Sequence, residues 1–315
     1  MENRVGPSET NRSIDAALFT IIFAGCGMTM SIFARDGRIN LVEFQRAYAV
    51  VLAAAVVARD AGCMACDWIG VEPVETRNSN LLNFFEISPE NRSPEAVRAM
   101  FGSIARRYDL ANHVLSCGLD FLWRKRASEI AAGWSPKNVV DLAAGTGDLT
   151  LALEKVLADS EVVAADFSDE MLAIAKMKGV RRIITADALA LPFGDRSFDC
   201  LTIAFGLRNI KNWSGALCEM SRVLNDNGHL LIMEFSLPQA WILRAVYRFY
   251  LHHLLPILGS LLTGKKAAYD YLGESIEQFP GGENMLRLIE ANGFRSATAE
   301  SLSGGIVAIY TATKR

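Results

Sequence analysis

Val139-Val140-Asp141-Leu142-Ala143-Ala144-Gly145-Thr146-Gly147-Asp148-Leu149-Thr150 is the stretch from which the fold can be read. After Lys137, the run Asn138–Leu142 has the short apolar pattern of a buried strand. Gly145 and Gly147 then allow a tight turn and close approach to the backbone. Leu149, Leu151, Leu153 and Val156-Leu157 follow at helical spacing, which predicts a helix over 148–157. A strand, a glycine turn and a helix open a β-α-β unit.

The alternation continues outward. Glu161–Ala165 reads as a second strand ended by Asp166, and Ser168 N-caps a helix through Met177 with Met171, Leu172 and Ile174-Ala175 as its apolar stripe. Arg182–Ala186 is a third strand, ended by Asp187, and Phe198–Phe205 a fourth. Trp213–Leu224 reads as a helix closed by the turn Asn225-Asp226-Asn227-Gly228, before a fifth strand at His229–Phe235. Ser296–Leu302 and Gly305–Thr313, joined through Ser303-Gly304, read as a closing antiparallel pair. The expected fold is α/β: a mostly parallel seven-stranded sheet, helices on both faces, and a C-terminal antiparallel hairpin.

Composition agrees with a globular chain. The 315 residues are 51% hydrophobic and 21% charged, which excludes the disordered and collagen-like classes. Thirty-two Lys+Arg against 35 Asp+Glu give a net charge of −3, and that argues against a nucleic-acid partner. Six Cys in a chain this long make no disulfide framework. Cys63 and Cys66 form a lone C-x-x-C with no second pair at ligand spacing, so no metal site is expected.

The N-terminal part stands apart. Residues 1–86 hold seven Arg, ten Asp/Glu and no Lys; the first Lys of the chain is Lys125. Ala16–Phe33 runs 18 residues without a charge and Ala47–Ala58 runs 12, against the roughly 20 apolar residues of a spanning helix. The first fits a membrane anchor, a buried helix or a loose extension. Glu2 and Glu9 fit neither a signal peptide nor a mitochondrial presequence. Residues 76–94 are polar and Pro-punctuated, reading as a linker, and Ser93-Pro94-Glu95 then starts a helix to about Arg107. The chain is expected to divide into an extension of unknown role (1–86) and an α/β domain (87–315).

In such a sheet, ligands bind at the carboxyl ends of the strands near the point where strand order reverses. The G-x-G here lacks the third Gly of the dinucleotide fingerprint, since Thr150 stands in its place, and no Gly-Lys-Ser/Thr marks a P-loop. Asp166, at the end of the second strand, is placed to accept both ribose hydroxyls of a nucleoside, and Asp187-Ala188 to meet the adenine edge. A helix N-terminus that attracts an anion suits a ligand carboxylate as well as a phosphate. The strand-end pattern therefore favours an adenosine-containing ligand, S-adenosylmethionine before NAD. Each Asp taken singly also reads as a turn or capping residue.

With these residues in view, the Val139–Thr150 stretch resembles motif I of the class I methyltransferases, and more narrowly the quinone-biosynthesis C-methyltransferases of the UbiE/MenG family. Tyr108-Asp109-Leu110-Ala111-Asn112, Ala190-Leu191-Pro192-Phe193, Phe205-Gly206-Leu207-Arg208-Asn209 and Tyr269-Asp270-Tyr271-Leu272 carry the likeness, which spans about Ile87 to the C-terminus. It implies a Rossmann-like sheet and S-adenosylmethionine as cofactor. Asp141, Gly145, Thr146, Gly147, Asp166, Asp187, Ala188 and Ala204 are implied for the cofactor, and Arg208, Asn209 and Tyr108 for catalysis. The chain departs from the family at Ala144, where Gly is common, at Ala204, where Ser is common, and at Asn112, where Met is frequent.

The resemblance further implies methylation of a prenylated quinol ring: demethylmenaquinol first, the methoxy-polyprenyl-benzoquinol of ubiquinone synthesis second. Arg208 is expected at the mouth of the pocket, holding the quinol oxygen, with Asn209 and Tyr108 leading to a proton-accepting water. The alternatives are a small-molecule O- or N-methyltransferase and a non-catalytic scaffold. Ala240–Leu262 is apolar and aromatic, with Arg244, Arg248 and His252 four apart on one helical face and Pro256 as a kink or stop. Such a segment suits a lid or a membrane surface; His252 and His253 are minor candidates for proton transfer. The expected setting is cytoplasmic and peripheral at the inner face of the membrane, and an N-terminal anchor is one of the three readings of the extension. A homo-oligomer or a quinone-synthesis complex is compatible with it.

Overall fold

The computed structural model describes residues 20–22, 29–31 and 108–315 apart from 265. The chain divides into two compact units, Met1–Glu75 and Thr76–Arg315. In the first, Thr20–Ile22 and Thr29–Ser31 pair as antiparallel strands. These six residues lie inside the apolar stretch Ala16–Phe33, so a helix running its whole length does not hold. The β-branched Thr20-Ile21-Ile22 and Thr29 favour extended backbone over helix. The linker, the C-x-x-C, the expected boundary at 86/87 and the helix from Ser93 lie outside the described residues.

The second unit is built on seven strands: β1 (Asn138–Leu142), β2 (Glu161–Asp166), β3 (Ile183–Thr185), β4 (Phe198–Ala204), β5 (Leu224–Phe235), β6 (Phe294–Leu302) and β7 (Val307–Lys314). Their order in the sheet is β3-β2-β1-β4-β5-β7-β6. Parallel pairing joins β3 through β5, with Val140 opposite Val163 on β2 and Leu201 on β4. β7 runs antiparallel between β5 and β6, as the C-terminal pattern predicts.

Alternation along each strand makes two cores. Val140, Leu201, Leu230 and Ile232 pack on α4 (Trp213–Val223) and α8 (Glu283–Ala291) through Leu217, Met220 and Ile289. Val139, Cys200, Leu231 and Met233 face the other way, onto α1 (Leu119–Gly133) and α2 (Asp148–Val156) through Trp123, Ala127 and Leu153. Burying a side chain of this size contributes about 1.5–3 kcal/mol. α3 (Asp169–Met177) starts at Ser168, whose hydroxyl accepts the Met171 N–H at 3.3 Å, as the capping pattern predicts.

Three expectations shift. β3 covers only Ile183–Thr185. β5 begins at Leu224, so the predicted turn is a bulge: Leu224 pairs with Phe198 and His229 with Cys200, leaving four residues opposite Asp199. Asn227 takes φ +63° there, and Asn225 donates to Asp199 at 2.8 Å. Lastly, Pro256 ends nothing. α5 (Trp241–Phe249) passes through a π-turn at Tyr250–Leu254 into α6 (Leu255–Thr263), and Pro256 sits in the first turn of α6. The π-turn just before it has already broken the i→i−4 ladder, with the Leu255 N–H on the Tyr250 carbonyl, and this accommodates the missing proline N–H.

Residues 108–115 form a helix, and with α5, α6 and α7 (Lys266–Gln278) they make a helical cap around Ala111, Tyr247, Leu251, Tyr269 and Tyr271. Among the described residues, no helix is long and apolar enough to cross a membrane.

Candidate active site

The carboxyl ends of β1, β2, β3 and β4 surround one cleft of about 930 Å³, its open solvent portion included. It falls where the strand order reverses, between β1 and its neighbours β2 and β4, because loops leaving these strands diverge there.

The first wall follows β2. Asp166 is buried, and its carboxylate accepts the Gly145 N–H at 2.8 Å on one oxygen and the Ser168 N–H at 2.9 Å on the other. Two backbone donors fix the direction of the group, and a carboxylate oxygen has acceptor capacity for a ligand hydroxyl beside one such donor. Phe167 and Met171 line the cleft beside it. Asp187 also lines the cleft, with Ala188 and Leu189, and accepts the Leu189 N–H at 2.9 Å.

The second wall is the glycine loop. Gly145 takes φ +57°, and a Cβ there would meet nothing within 4 Å, so its backbone faces open space in the cleft. Gly147 differs: at φ +83°, a Cβ would come within 2.6 Å of Val180 Cγ2. It is the close contact of the loop with the segment after α3 that requires glycine there. Under the loop, Asp141 is 1% exposed and accepts the hydroxyls of Thr150 at 2.6 Å and Thr202 at 2.8 Å. Burial pushes its pKa up to about 6 against those two hydrogen bonds.

The third wall follows β4. Ala204, Phe205 and Gly206 line the cleft, and so does Asn209 from a short 3-10 turn, Leu207–Asn209. Phe205 holds φ +57°, a costly conformation for a bulky residue. Its N–H donates to Met233 at 2.8 Å, and its carbonyl accepts from Arg208 Nη1 and from Asn209 Nδ2, the latter at 3.4 Å. Tyr271 donates to Asn209 Oδ1 at 3.2 Å, and Tyr108 completes the rim.

Arg208 lies elsewhere than at the mouth. Its guanidinium is buried, paired with Glu234 at 2.8 Å, and sits 5.4 Å from the Phe235 ring centroid. Burial alone would lower its pKa, but the Glu234 charge, with Tyr108 and Tyr271, more than offsets that and keeps it protonated. The turn Gly206–Asn209 folds the side chain back toward β5, where Glu234 pairs with it.

The cleft thus gathers Gly145, Asp166, Asp187, Ala188 and Ala204 of the implied cofactor residues, with Tyr108 and Asn209 of the implied catalytic ones. Asp141, Thr146, Gly147 and Arg208 stand behind its surface as supports. Sequence reasoning misses Phe167, Ala143 and Phe205 as lining residues. The apolar residue after a strand-ending acid is a signal for Phe167; the positive φ of Ala143 and Phe205 has none in sequence. His252 and His253 are exposed and outside the lining; His252 lies 3.3 Å from Glu277.

This sheet order, with its strand-end carboxylate and glycine loop, defines a class I S-adenosylmethionine-dependent methyltransferase. The model of the ubiE/COQ5 methyltransferase family matches residues 89–314, and the chain belongs to that family. It is 47% identical over 216 residues to a demethylmenaquinone methyltransferase of Thermus thermophilus, covering 67% of this chain and 98% of that one. To the demethylmenaquinone methyltransferase of Deinococcus radiodurans it is 40% identical, covering 73% and 100%. To a ubiquinone/menaquinone biosynthesis C-methyltransferase of Teredinibacter turnerae it is again 40% identical, covering 70% and 92%.

Proposed function

We propose that this chain methylates a ring carbon of a prenylated quinol, with demethylmenaquinol as its first substrate and the ubiquinone-pathway benzoquinol as its second. The observation behind this reading is one cleft that joins a fixed carboxylate, Asp166, to an opposite rim of hydrogen-bonding groups, Tyr108 and Asn209. The relatives named for both quinone pathways support the substrate class.

The cleft fits S-adenosylmethionine. Asp166 offers lone pairs to ribose hydroxyls, Phe167, Met171 and Leu189 offer apolar surface to a purine, and Gly145 leaves room for close backbone approach. When bound, the cofactor supplies an electrophilic methyl group on a sulfonium.

The remaining work falls to the protein. A quinol carbon becomes nucleophilic as its ring hydroxyl loses or shares a proton. Asn209 and Tyr108 hold that hydroxyl, and a water they order takes the proton, because a protonated Arg cannot. Arg208 acts from behind: it fixes the Phe205 carbonyl and so the turn that presents Asn209. Orienting the carbon toward the cofactor side supplies much of the rate.

The helical cap exposes Trp241 (76%), Ile242 (60%) and Leu261 (78%), apolar side chains suited to the membrane that holds such a substrate. Arg248 is paired with Glu277, whereas Arg244 donates to the Pro238 carbonyl and keeps its positive charge beside these apolar side chains.

The test incubates the full chain with methyl-labelled S-adenosylmethionine and reduced demethylmenaquinone, with the benzoquinol precursor, a soluble phenol and a soluble amine in parallel, and identifies products by mass. A C-methylated naphthoquinol is expected. Label only on a soluble phenol or amine, or no label with cofactor bound, overturns the reading.

A further inference from the structure

Asp109 follows Tyr108 but does not line the cleft. It accepts the Thr146 hydroxyl at 2.5 Å on one oxygen and Lys178 Nζ at 3.0 Å on the other. Lys178 is the C-cap of α3, and its ammonium also bonds Asp148 in the first turn of α2. Asp148 lies 3.6 Å from Arg124 on α1, Arg124 pairs with Asp120, and Asp120 holds His113 at 2.6 Å. His113 is four residues after Asp109 on the same short helix, so the two lie on one face. The charges form a chain that leaves the 108–115 helix at Asp109, crosses the N-terminus of α2, and returns at His113.

Away from Tyr108, this helix is held by packing at Ala111 and Leu115, where the Tyr250 hydroxyl also donates to the Leu115 carbonyl at 2.9 Å. Ala111 is buried, but Leu110 and Val114 are 58% and 49% exposed. The attachment of Tyr108 to the cleft therefore leans on polar contacts that are themselves partly open to solvent, with Lys178 and Asp109 27% and 28% exposed. Contacts of this kind are weak enough to open and are screened by salt.

We propose that Asp109 is a positioning residue for the cofactor: with Thr146, Lys178 and Asp148 it latches the 108–115 helix to the glycine loop and seats Tyr108 at the rim. Thr146 serves the cofactor indirectly, since its hydroxyl is spent on the latch. The inference concerns cofactor retention and holds whichever quinol is methylated, so it and the substrate reading fail separately.

The test uses the full chain and S-adenosylhomocysteine. Binding is measured by calorimetry, and hydrogen exchange is followed in 108–115, for the wild type, Asp109→Asn and Lys178→Met. Asp109→Asn is expected to weaken binding about fivefold, the scale of one partly exposed ion pair, and to shift the melting temperature by less than about 3 °C. The wild type is expected to gain ligand-induced protection of 108–115 and to bind less tightly as salt is raised, and Asp109→Asn to lose both effects. Lys178→Met, which keeps the apolar stem, reproduces the loss. Wild-type affinity with unchanged exchange in these variants overturns the proposal. So does a loss of affinity accompanied by uniformly faster exchange and a large fall in melting temperature, which marks a purely structural contact.

Discussion

Arg208 and Glu234 meet at 2.8 Å with side chains 5% and 0% exposed, an ion pair sealed behind the β4 wall of the cleft. Glu234 also accepts the Arg208 backbone N–H at 3.2 Å, so the strand β5 grips both ends of one residue. Removing one partner of such a pair leaves a buried charge uncompensated, at a cost of about 3–5 kcal/mol. Glu234→Gln, which keeps the shape, is expected to lower stability by that order in urea titration, and Arg208→Ala to do the same. A loss below about 1 kcal/mol would place the pair in a wetter setting than 0% exposure allows.

Asp166→Ala is expected to weaken S-adenosylhomocysteine binding about tenfold to a hundredfold, the range for a hydrogen-bonded charged group. Two causes act together: the ligand hydroxyls lose their acceptor, and the Gly145 and Ser168 amides lose theirs. Asp166→Asn keeps one acceptor and falls between. Calorimetry on the folded variants measures both; unchanged affinity would take Asp166 out of the cofactor site.

Asp141 gives a pH signature. Its folded pKa is raised to about 6 from 3.8, so the native state binds more protons than the unfolded one across that window. Stability contributed by the protonated form is present below the unfolded value and is lost as pH rises toward 6. Asp141→Asn removes the titration, and its amide suits two hydroxyls, one donating and one turned to accept. The variant is expected to gain on the wild type by roughly 3 kcal/mol between pH 4 and 7.5. Urea titrations of both proteins at several pH values measure that difference; a constant offset would mean Asp141 stays ionised throughout.

Gly147→Ala is expected to destabilise by about 2–4 kcal/mol, from a left-handed backbone and a Cβ driven toward Val180. Gly145→Ala, with open space around its Cβ, costs the backbone term alone, about 1–2 kcal/mol, and reduces cofactor affinity instead. Thermal melts and calorimetry on the two variants separate packing from access.

The sheet was legible because its signals are local. Asp166 ends its strand where its neighbours in sequence place it, Asp187 lines the cleft two residues beyond a strand that stops at Thr185, and Ser168 caps the helix that its own position in the chain starts. Strand edges were less legible: β5 absorbs Asn225–Gly228 because Asp199 on the adjoining strand takes up the bulge, a partner 26 residues away from Asn225. The cleft divides the same way. Gly145 and Asp166 line it as their strand-end positions suggest, whereas Thr146 turns away to Asp109, 37 residues distant.

By itself the sequence determined the order of the strands, the position of the ligand-facing loops and the family, because periodicity, capping and motif spacing act between near neighbours; the helices Leu119–Gly133, Lys266–Gln278 and Glu283–Ala291 came only with the structure. Tertiary structure alone decided which of those loop residues face the cleft. Arg208 shows why: a guanidinium at a turn goes wherever an opposite charge and a dry pocket stabilise it, and Glu234 was brought there by the pairing of β4 with β5.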